Sequence, residues 1–251
     1  MTRRRFAVDG SLAMLGVTLS DGCLVATKPA DGREDARLTA RPRNGITTSA
    51  ASGALGLARG RDAVLHLPAK APEGPLPLIV FLHGATQAGA GMLRRVGPIA
   101  DETGVAVLAP DSRDGTWDAI RGTFGDDIAF LDRALEWVFA RVAVDRSRVA
   151  IGGFSDGASY AISLGLANGD LFPHVAAFSP GFVIPAPAHG RPRFFISHGT
   201  SDQILPIDRC SRVIVPRLRS RGYDVTFREF EGRHEMPTEV LRAGFSWLRT
   251  L

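Results

Sequence analysis

Continuous apolar runs that end at glycine or proline recur along most of this chain, and they indicate its architecture first. The run at 78–84 reads LIVFLHG, and the run at 105–110 reads VAVLAP. Runs of this length without polar alternation are typical of strands buried on both faces of a parallel sheet. The same pattern predicts further strands at 148–154, 174–180, 193–199 and 224–232.

Amphipathic stretches separate these apolar runs. Within 127–142, apolar residues recur at steps of three and four, at Ile128, Leu131, Leu135 and Val138. This spacing places them on one face of a helix. Comparable stretches predict helices over 155–167, 207–221 and 237–250, and 55–68 is predicted to form an antiparallel hairpin at one sheet edge. Strand–helix alternation with right-handed crossovers predicts an α/β fold, a mostly parallel central sheet with helices on both faces.

The N-terminal segment differs from the rest in composition. Within residues 1–23, Thr-Arg-Arg-Arg-Phe at 2–6 resembles a twin-arginine export signal, and Leu-Ser-Asp-Gly-Cys at 19–23 resembles a lipoprotein cleavage box at Cys23. The apolar stretch between them is too short and too interrupted for a membrane-spanning helix. We therefore predict export, with a periplasmic protein, a secreted protein and one tethered to a membrane through lipidated Cys23 as the open alternatives, and keep a cytosolic protein with a basic N-terminus as the alternative to export. Residues 24–52 are polar and lack apolar periodicity, so they are expected to be a flexible linker, and 53–251 the folded domain.

Composition and charge exclude several classes of function. The chain has 251 residues, enough for one α/β domain, with a net charge of +4 and a pI of about 9.7. Its arginines are scattered, without a basic stripe or an RNA-binding motif, so no nucleic acid partner is expected. The two cysteines, Cys23 and Cys210, are far apart and form no CxxC pair. No metal or cofactor is predicted.

The pentapeptide Gly-Phe-Ser-Asp-Gly, centred on Ser155, lies between a predicted buried strand and a predicted helix. It matches G-x-S-x-G, and its strand–turn–helix context resembles the nucleophile elbow of the α/β-hydrolases. Glycines flank the serine there because side chains would collide with the neighbouring strand and helix. Ser155 is therefore predicted to be a nucleophile; a glycine-bracketed turn without chemistry is the alternative.

A serine nucleophile requires a histidine base and an acid that orients it, and in this fold they follow the serine in the order acid, then histidine. Asp202 follows the strand RFFISHG, and only His234 comes after it. Asp208 is a weaker acid candidate because it is expected to begin a helix. The predicted catalytic residues are Ser155, Asp202 and His234.

Two backbone amides are expected to stabilise the oxyanion. One is that of Asp156, directly after the nucleophile, and the other that of Ala85 in the loop after LIVFLHG, with Thr86 as the fallback. His83 is expected to brace this loop and His198 to close a turn, and neither is expected to take part in the chemistry. Asp126 and Asp127 are expected to cap a helix rather than to bind a metal ion.

The walls of the substrate site are predicted from loops at the carboxyl edge of the sheet. Trp117 and Phe124 are candidates for apolar contact with substrate, with loop packing as the alternative, and Ile204 and Leu205 are candidates beside the acid. Residues 181–192 hold three prolines and are too short for a lid domain. An open, shallow site without interfacial activation is therefore expected.

From about residue 53 to 251, the chain resembles an α/β-hydrolase of the esterase type. The motifs FLHG, GGFSDG, SHGTSDQILP and FEGRHE are similar to those of the phospholipase/carboxylesterase group, and residues 125–161 resemble polyhydroxybutyrate depolymerase and feruloyl esterase-like proteins. Asp156 departs from the Gln or Asn more frequent there. The resemblance implies a serine carboxylesterase for short or medium acyl esters, or for ester groups exposed on larger molecules. A silent surface-tethered binding module and a peptidase or thioesterase on the same fold remain alternatives.

Overall fold

The structure is a computed structural model that describes residues 36–71 and 73–249. Its strands are β1 (Gly53–Ala54), β2 (Ala63–His66), β3 (Leu76–Leu82), β4 (Ala106–Pro110), β5 (Val144–Phe154), β6 (His174–Phe178), β7 (Arg193–Gly199) and β8 (Val225–Phe230). Its helices are α1 (Gly89–Thr103), α2 (Asp118–Arg121), α3 (Asp126–Phe139), α4 (Asp156–Ala167), α5 (Ser211–Ser220) and α6 (Thr238–Trp247), with a 3₁₀ turn at Ile207–Arg209. The predicted strands and helices are present; the long helix α1 and the short helix α2 were not predicted.

All of these strands belong to one sheet, in the order β1-β2-β4-β3-β5-β6-β7-β8. The pairs from β4 to β8 are parallel, whereas β1 and β2 pair antiparallel to each other and β2 to β4. The expected edge hairpin is therefore confirmed. Because the carboxyl ends of the parallel strands meet at one edge, the loops after β3, β5, β7 and β8 converge there.

Both faces of the sheet are buried, which explains the unbroken apolar runs. Along β3, Leu78, Val80 and Leu82 point into the core shared with α3, α4 and α5. Ile79 and Phe81 point into a second core shared with α1 and α6. Side chains alternate across a strand, so a strand covered on both faces needs apolar residues at every position.

The first described residues of the expected linker, 36–42, pack against the domain, so the expectation of a flexible linker is wrong for them, whereas 43–52 lie mostly exposed on its surface. Ala36 and Leu38 are each only 1% exposed. Asn168 at the end of α4 holds the segment: its Oδ1 accepts the N–H of Leu38 at 2.8 Å and its Nδ2 donates to the carbonyl of Ala36 at 2.7 Å. Arg37 and Arg41 pair with Asp170, at 2.6 and 2.7 Å. The folded unit therefore begins before the expected Gly53.

The export signal and the lipidated cysteine predicted within residues 1–23 lie outside the described residues. In the part of the chain that the structure describes, no helix is long and apolar enough to cross a membrane.

Candidate active site

Ser155 occupies the sharp turn between β5 and α4. Its backbone has φ 57° and ψ −120°, a left-handed conformation that a non-glycine residue adopts only under strain. A Cβ on Gly153 would lie 2.6 Å from the carbonyl carbon of Gly157, and one on Gly157 would lie 2.4 Å from the carbonyl oxygen of Leu82. The glycines are therefore required because backbone, which has no room to shift, approaches them from the neighbouring elements.

The three predicted catalytic side chains lie within hydrogen-bond distance of one another. Ser155 Oγ is 2.8 Å from His234 Nε2, and His234 Nδ1 is 2.6 Å from Asp202 Oδ2. The carboxylate accepts from Nδ1–H, so Nε2 is left to accept the serine hydroxyl proton. This arrangement can activate a serine oxygen as a nucleophile.

Asp202 is buried in the loop after β7, and its orientation is set by that loop. Its Oδ1 accepts the backbone N–H groups of Ile204 and Leu205, at 2.9 and 2.8 Å. The other oxygen, Oδ2, therefore faces His234. The alternative acid, Asp208, instead pairs with Arg212 at 2.7 Å on the surface, so the structure does not bring it to the site.

The amide of Asp156 lies at the start of α4, where the first amides of a helix have no partner within it. Ala85 is exposed in the loop after β3, and its amide donates no hydrogen bond within the described part of the chain. Thr86 cannot serve as the fallback donor, because its N–H already donates to the carbonyl of Gly115 at 2.7 Å. The structure thus leaves the two amides predicted first available to a ligand.

His83 braces the loop that carries Ala85. Its Nδ1 lies 2.7 Å from the carbonyl of Gly84, and its Nε2 accepts the N–H of Ser112 at 2.9 Å. Burial lowers the pKa of this imidazole, which favours the neutral form that can donate through one nitrogen and accept through the other. The expected bracing contact is therefore present.

A family model described as phospholipase/carboxylesterase matches residues 123–251. The chain belongs to this family. The resemblance inferred from the motifs is thereby confirmed.

Curated relatives of this family member include feruloyl esterases. Feruloyl esterase C of Emericella nidulans is 30% identical over 161 residues, which cover 59% of this chain and 57% of that protein. The probable feruloyl esterase C of Aspergillus clavatus is 27% identical over 169 residues, covering 64% and 61%. The chain spans less than two thirds of the length of these relatives.

Solved structures establish the fold. A Bacillus cereus carboxylesterase has a TM-score of 0.57 at 18% identity, covering 76% of this chain and 94% of that one. A ferulic acid esterase of Anaeromyces mucronatus, solved with ferulic acid, has a TM-score of 0.57 at 18% identity, covering 83% and 92%. The chain has the α/β-hydrolase fold, as expected, and residues 179–192 form no lid: they contain neither helix nor strand.

Two predicted substrate contacts of this family member are wrong, because Trp117 and Phe124 are buried. Trp117 is 0% exposed, donates its Nε1–H to the carbonyl of His83 at 2.9 Å and stacks on Tyr160 at a centroid distance of 5.3 Å. Phe124 is 7% exposed and packs on the same tyrosine at 5.7 Å. Both residues form the core beneath the loops, and Trp117 also supports the loop that carries Ala85.

The two residues predicted beside the acid remain at the surface. Ile204 is 70% exposed, the one large apolar side chain so exposed among the described residues, and Leu205 is half-buried beside Gly181. Both stay candidates for substrate contact because they flank Asp202 at an open edge.

A cleft of about 600 Å³ that sequence reasoning missed adjoins the triad. Thr86, Phe154 and Met236 line it, and Arg61, Arg94 and Arg95 supply its charged groups. The ring of Phe154 lies 4.7 Å from that of His234, between their centroids. Phe154 directly precedes Ser155, and Met236 lies two positions after His234, so their closeness to the motif residues could have indicated the cleft from the sequence. Arg61 reaches the cleft from the hairpin between β1 and β2, and nothing in the sequence indicates that contact.

The aspartate pair that begins α3, Asp126 and Asp127, has another role than expected. Asp118, rather than Asp126 or Asp127, binds the start of the helix: its Oδ2 accepts the N–H groups of Gly125 at 2.8 Å and Asp127 at 2.9 Å. Asp127 accepts the backbone N–H of Arg113 at 2.6 Å and so fixes the preceding loop. Across residues 36–71 and 73–249, no three His, Cys, Asp or Glu side chains cluster as metal ligands.

Proposed function

We propose that this chain is a serine carboxylesterase that cleaves esters through an acyl-enzyme intermediate. The observation that carries the proposal is the continuous series of hydrogen bonds from Ser155 Oγ to His234 Nε2, at 2.8 Å, and from His234 Nδ1 to Asp202 Oδ2, at 2.6 Å. The series lies at the carboxyl edge of the sheet, with two unpaired amides beside the serine. Membership of the phospholipase/carboxylesterase family supports the same conclusion.

Acylation begins when Ser155 Oγ forms a bond to the ester carbonyl carbon. His234 Nε2 takes the hydroxyl proton, and the carbonyl π-electrons move onto the oxygen, which becomes the oxyanion. Asp202 holds the ring with Nδ1–H directed at its carboxylate and stabilises the imidazolium that forms. The amides of Ala85 and Asp156 donate to the oxyanion, where preorganised donors lower the barrier most.

Collapse of this intermediate breaks the bond to the alcohol oxygen, and His234 gives that oxygen its proton. Water then enters, His234 takes one of its protons, and the hydroxide oxygen attacks the acyl carbon. Return of the proton to Ser155 releases the carboxylic acid and restores the enzyme. A protonated His234 cannot accept the serine proton, so activity is expected to fall on acidification.

The shape of the site supports esters with short or medium acyl chains, or ester groups exposed on larger molecules. Residues 179–192 form no lid, and exposed Ile204 offers an apolar contact rather than an enclosed acyl tunnel. A p-nitrophenyl ester series measured above and below the micelle threshold tests this. A smooth decline with acyl length is expected, and a sharp rate increase on long-chain aggregates would contradict it.

Labelling by a fluorophosphonate tests the mechanism directly. The probe is expected to modify Ser155, and Ser155→Ala is expected to abolish both labelling and hydrolysis of p-nitrophenyl acetate and methyl ferulate. The conservative variant Ser201→Ala, at an exposed residue of the acid loop, serves as the control. Labelling at another residue, or hydrolysis by Ser155→Ala, refutes the mechanism, and cleavage of aminoacyl amides or thioesters in preference to esters identifies a peptidase or thioesterase instead.

We also propose that the enzyme is exported, on the basis of the basic Thr2–Phe6 segment, with Cys23 as a lipid anchor. Replacing Arg3 and Arg4 with lysine is expected to leave precursor inside the cell, whereas unchanged fractionation would favour a cytosolic enzyme. Mass spectrometry of the mature N-terminus tests lipidation separately.

A further inference from the structure

A second imidazole contacts the carboxylate of Asp202. His198 is the penultimate residue of β7, four positions before Asp202, and is 0% exposed. Its Nε2 lies 3.2 Å from Asp202 Oδ2, the same oxygen that faces His234 Nδ1 at 2.6 Å. The acid is therefore in contact with two histidines, of which the proposed mechanism uses one.

The partners of His198 determine where its proton lies. Nε2 is 2.7 Å from the carbonyl oxygen of Leu205, which can only accept, so Nε2 carries the hydrogen. Nδ1 is 2.7 Å from the hydroxyl of Ser211, which can donate to it. The neutral ring is thereby satisfied at both nitrogens, and burial, which lowers its pKa, favours that form.

The charged and titratable groups around the ring leave this assignment unchanged. Glu229 is the partner of His198 across the β7–β8 register, and it is held by Arg212 at 2.6 Å. Cys210 lies in the turn before α5, and burial raises the pKa of its thiol to about 11, so the thiol is neutral. Among residues 36–71 and 73–249, the remaining titratable groups that act on the ring are Asp202 and His234 themselves.

The contact divides the two oxygens of Asp202 between two sets of donors. Oδ1 is held by the backbone amides of Ile204 and Leu205. Oδ2 receives Nδ1–H of His234 and lies 3.2 Å from Nε2 of His198, whose hydrogen is donated to the carbonyl of Leu205 at 2.7 Å. Because His198 also binds the carbonyl of Leu205, it joins the carboxylate to the loop that presents it.

We propose that His198 is a positioning residue that holds Oδ2 of Asp202 in the orientation His234 requires. The role rests on the proposed function, because it acts on the reaction only through Asp202. Without this imidazole, the carbonyl of Leu205 loses its donor and Oδ2 loses the ring packed against it at 3.2 Å. The loop that holds Oδ1 through the Leu205 amide can then shift, and the orientation of His234 shifts with the carboxylate.

The test replaces the donor while keeping the side chain's volume. His198→Leu is expected to lower kcat for p-nitrophenyl acetate roughly 10- to 100-fold with little change in KM, the range expected when a buried carbonyl, here that of Leu205 in the acid loop, is left without its donor. His198→Gln, whose amide reaches the Nε2 position, is expected to restore most of the rate.

A matched control is His174→Leu, which removes another buried histidine at the opposite end of its strand, on β6. It is expected to change stability while leaving kcat and the pH profile as in the wild type. If His198→Leu does not fold, His198→Asn is the substitute, since its amide can bind Ser211 but is too short for Asp202. The His198→Asn variant is then expected to have the lowered kcat of an enzyme without the donor, and the His198→Gln variant is expected to have a kcat close to that of the wild type.

Fluorophosphonate labelling of the same variants separates the two proposals. Labelling of Ser155 in folded His198→Leu or His198→Asn at the wild-type rate overturns the positioning role and leaves the proposed function intact. A wild-type enzyme that is not labelled at Ser155 overturns the proposed function and the positioning role with it. Equal rates for the Asn and Gln variants also overturn the positioning role.

Discussion

His174, the first residue of β6, is expected to make the stability of the fold depend on pH. The side chain is 4% exposed, its Nδ1 has no hydrogen-bond partner among the described residues, and its ring meets that of Trp247 edge-on at 5.5 Å. Burial, assisted by the charge of Arg193, lowers the pKa of this imidazole to about 4. The folded protein therefore holds the ring neutral over a range in which the unfolded chain binds a proton.

The direction and size of the effect follow from this difference. Between about pH 6.5 and pH 4, the unfolded state binds more protons than the folded state, so stability is lost as the pH falls. A lowering of the pKa from 6.5 to about 4 corresponds to a limiting loss of about 3 kcal/mol. Between about pH 8 and pH 5, the linkage relation gives a loss of about 2 kcal/mol.

Urea unfolding followed by tryptophan fluorescence measures this contribution when the wild type is compared with His174→Leu at a series of pH values. The variant is expected to lose about 2 kcal/mol less than the wild type between pH 8 and pH 5. Burial also lowers the pKa values of His83 and His198, but these residues are present in both proteins, so their contributions cancel in the difference. Parallel stability curves for the two proteins would refute the assignment of a buried, neutral His174.

Three further substitutions test the elbow, the acid and the N-terminal segment. Gly157→Ala is expected to destabilise the fold by roughly 1–3 kcal/mol and to abolish labelling of Ser155, because the added Cβ would lie 2.4 Å from a backbone oxygen. The control Gly97→Ala has open space around the added Cβ and should be near neutral. Equal melting temperatures for the Gly157→Ala and Gly97→Ala variants would contradict the argument. Asp202→Asn is expected to keep its melting temperature while kcat falls by up to about 10⁴-fold, as in other triads, and a near-normal rate in steady-state assays would point to a different acid. Leu38→Ala, at a residue 1% exposed, is expected to lower the free energy of unfolding by roughly 2–5 kcal/mol in urea titrations. A loss below about 0.5 kcal/mol, the value expected for exposed Ile204→Ala, would mean that the segment does not belong to the folded unit.

The local pattern of the sequence was sufficient for the strands, the elbow and the choice of triad candidates. Unbroken apolar runs predict strands buried on both faces because each position needs the same kind of side chain. The order of residues left one histidine after the acid, and the fold then brings Ser155, Asp202 and His234 together because parallel strands end at the same edge. These predictions depend on neighbouring residues or on chain order, both of which can be read directly.

Tertiary structure alone decided whether a residue in a loop lies in the core or at the surface. Trp117 is in the core because its indole finds the carbonyl of His83, 34 positions earlier, and Leu38 is fixed by Asn168, 130 positions later. The short alternation of Ala36, Leu38 and Ala40 was available in the sequence, but an extended segment without strand partners has no local signature of burial. The contact of His198 with Asp202 likewise depends on how the loop after β7 folds back. Hydrogen-bond partners this distant are specified by packing, which is why loop residues could be assigned to an edge of the sheet but not to its core or its surface.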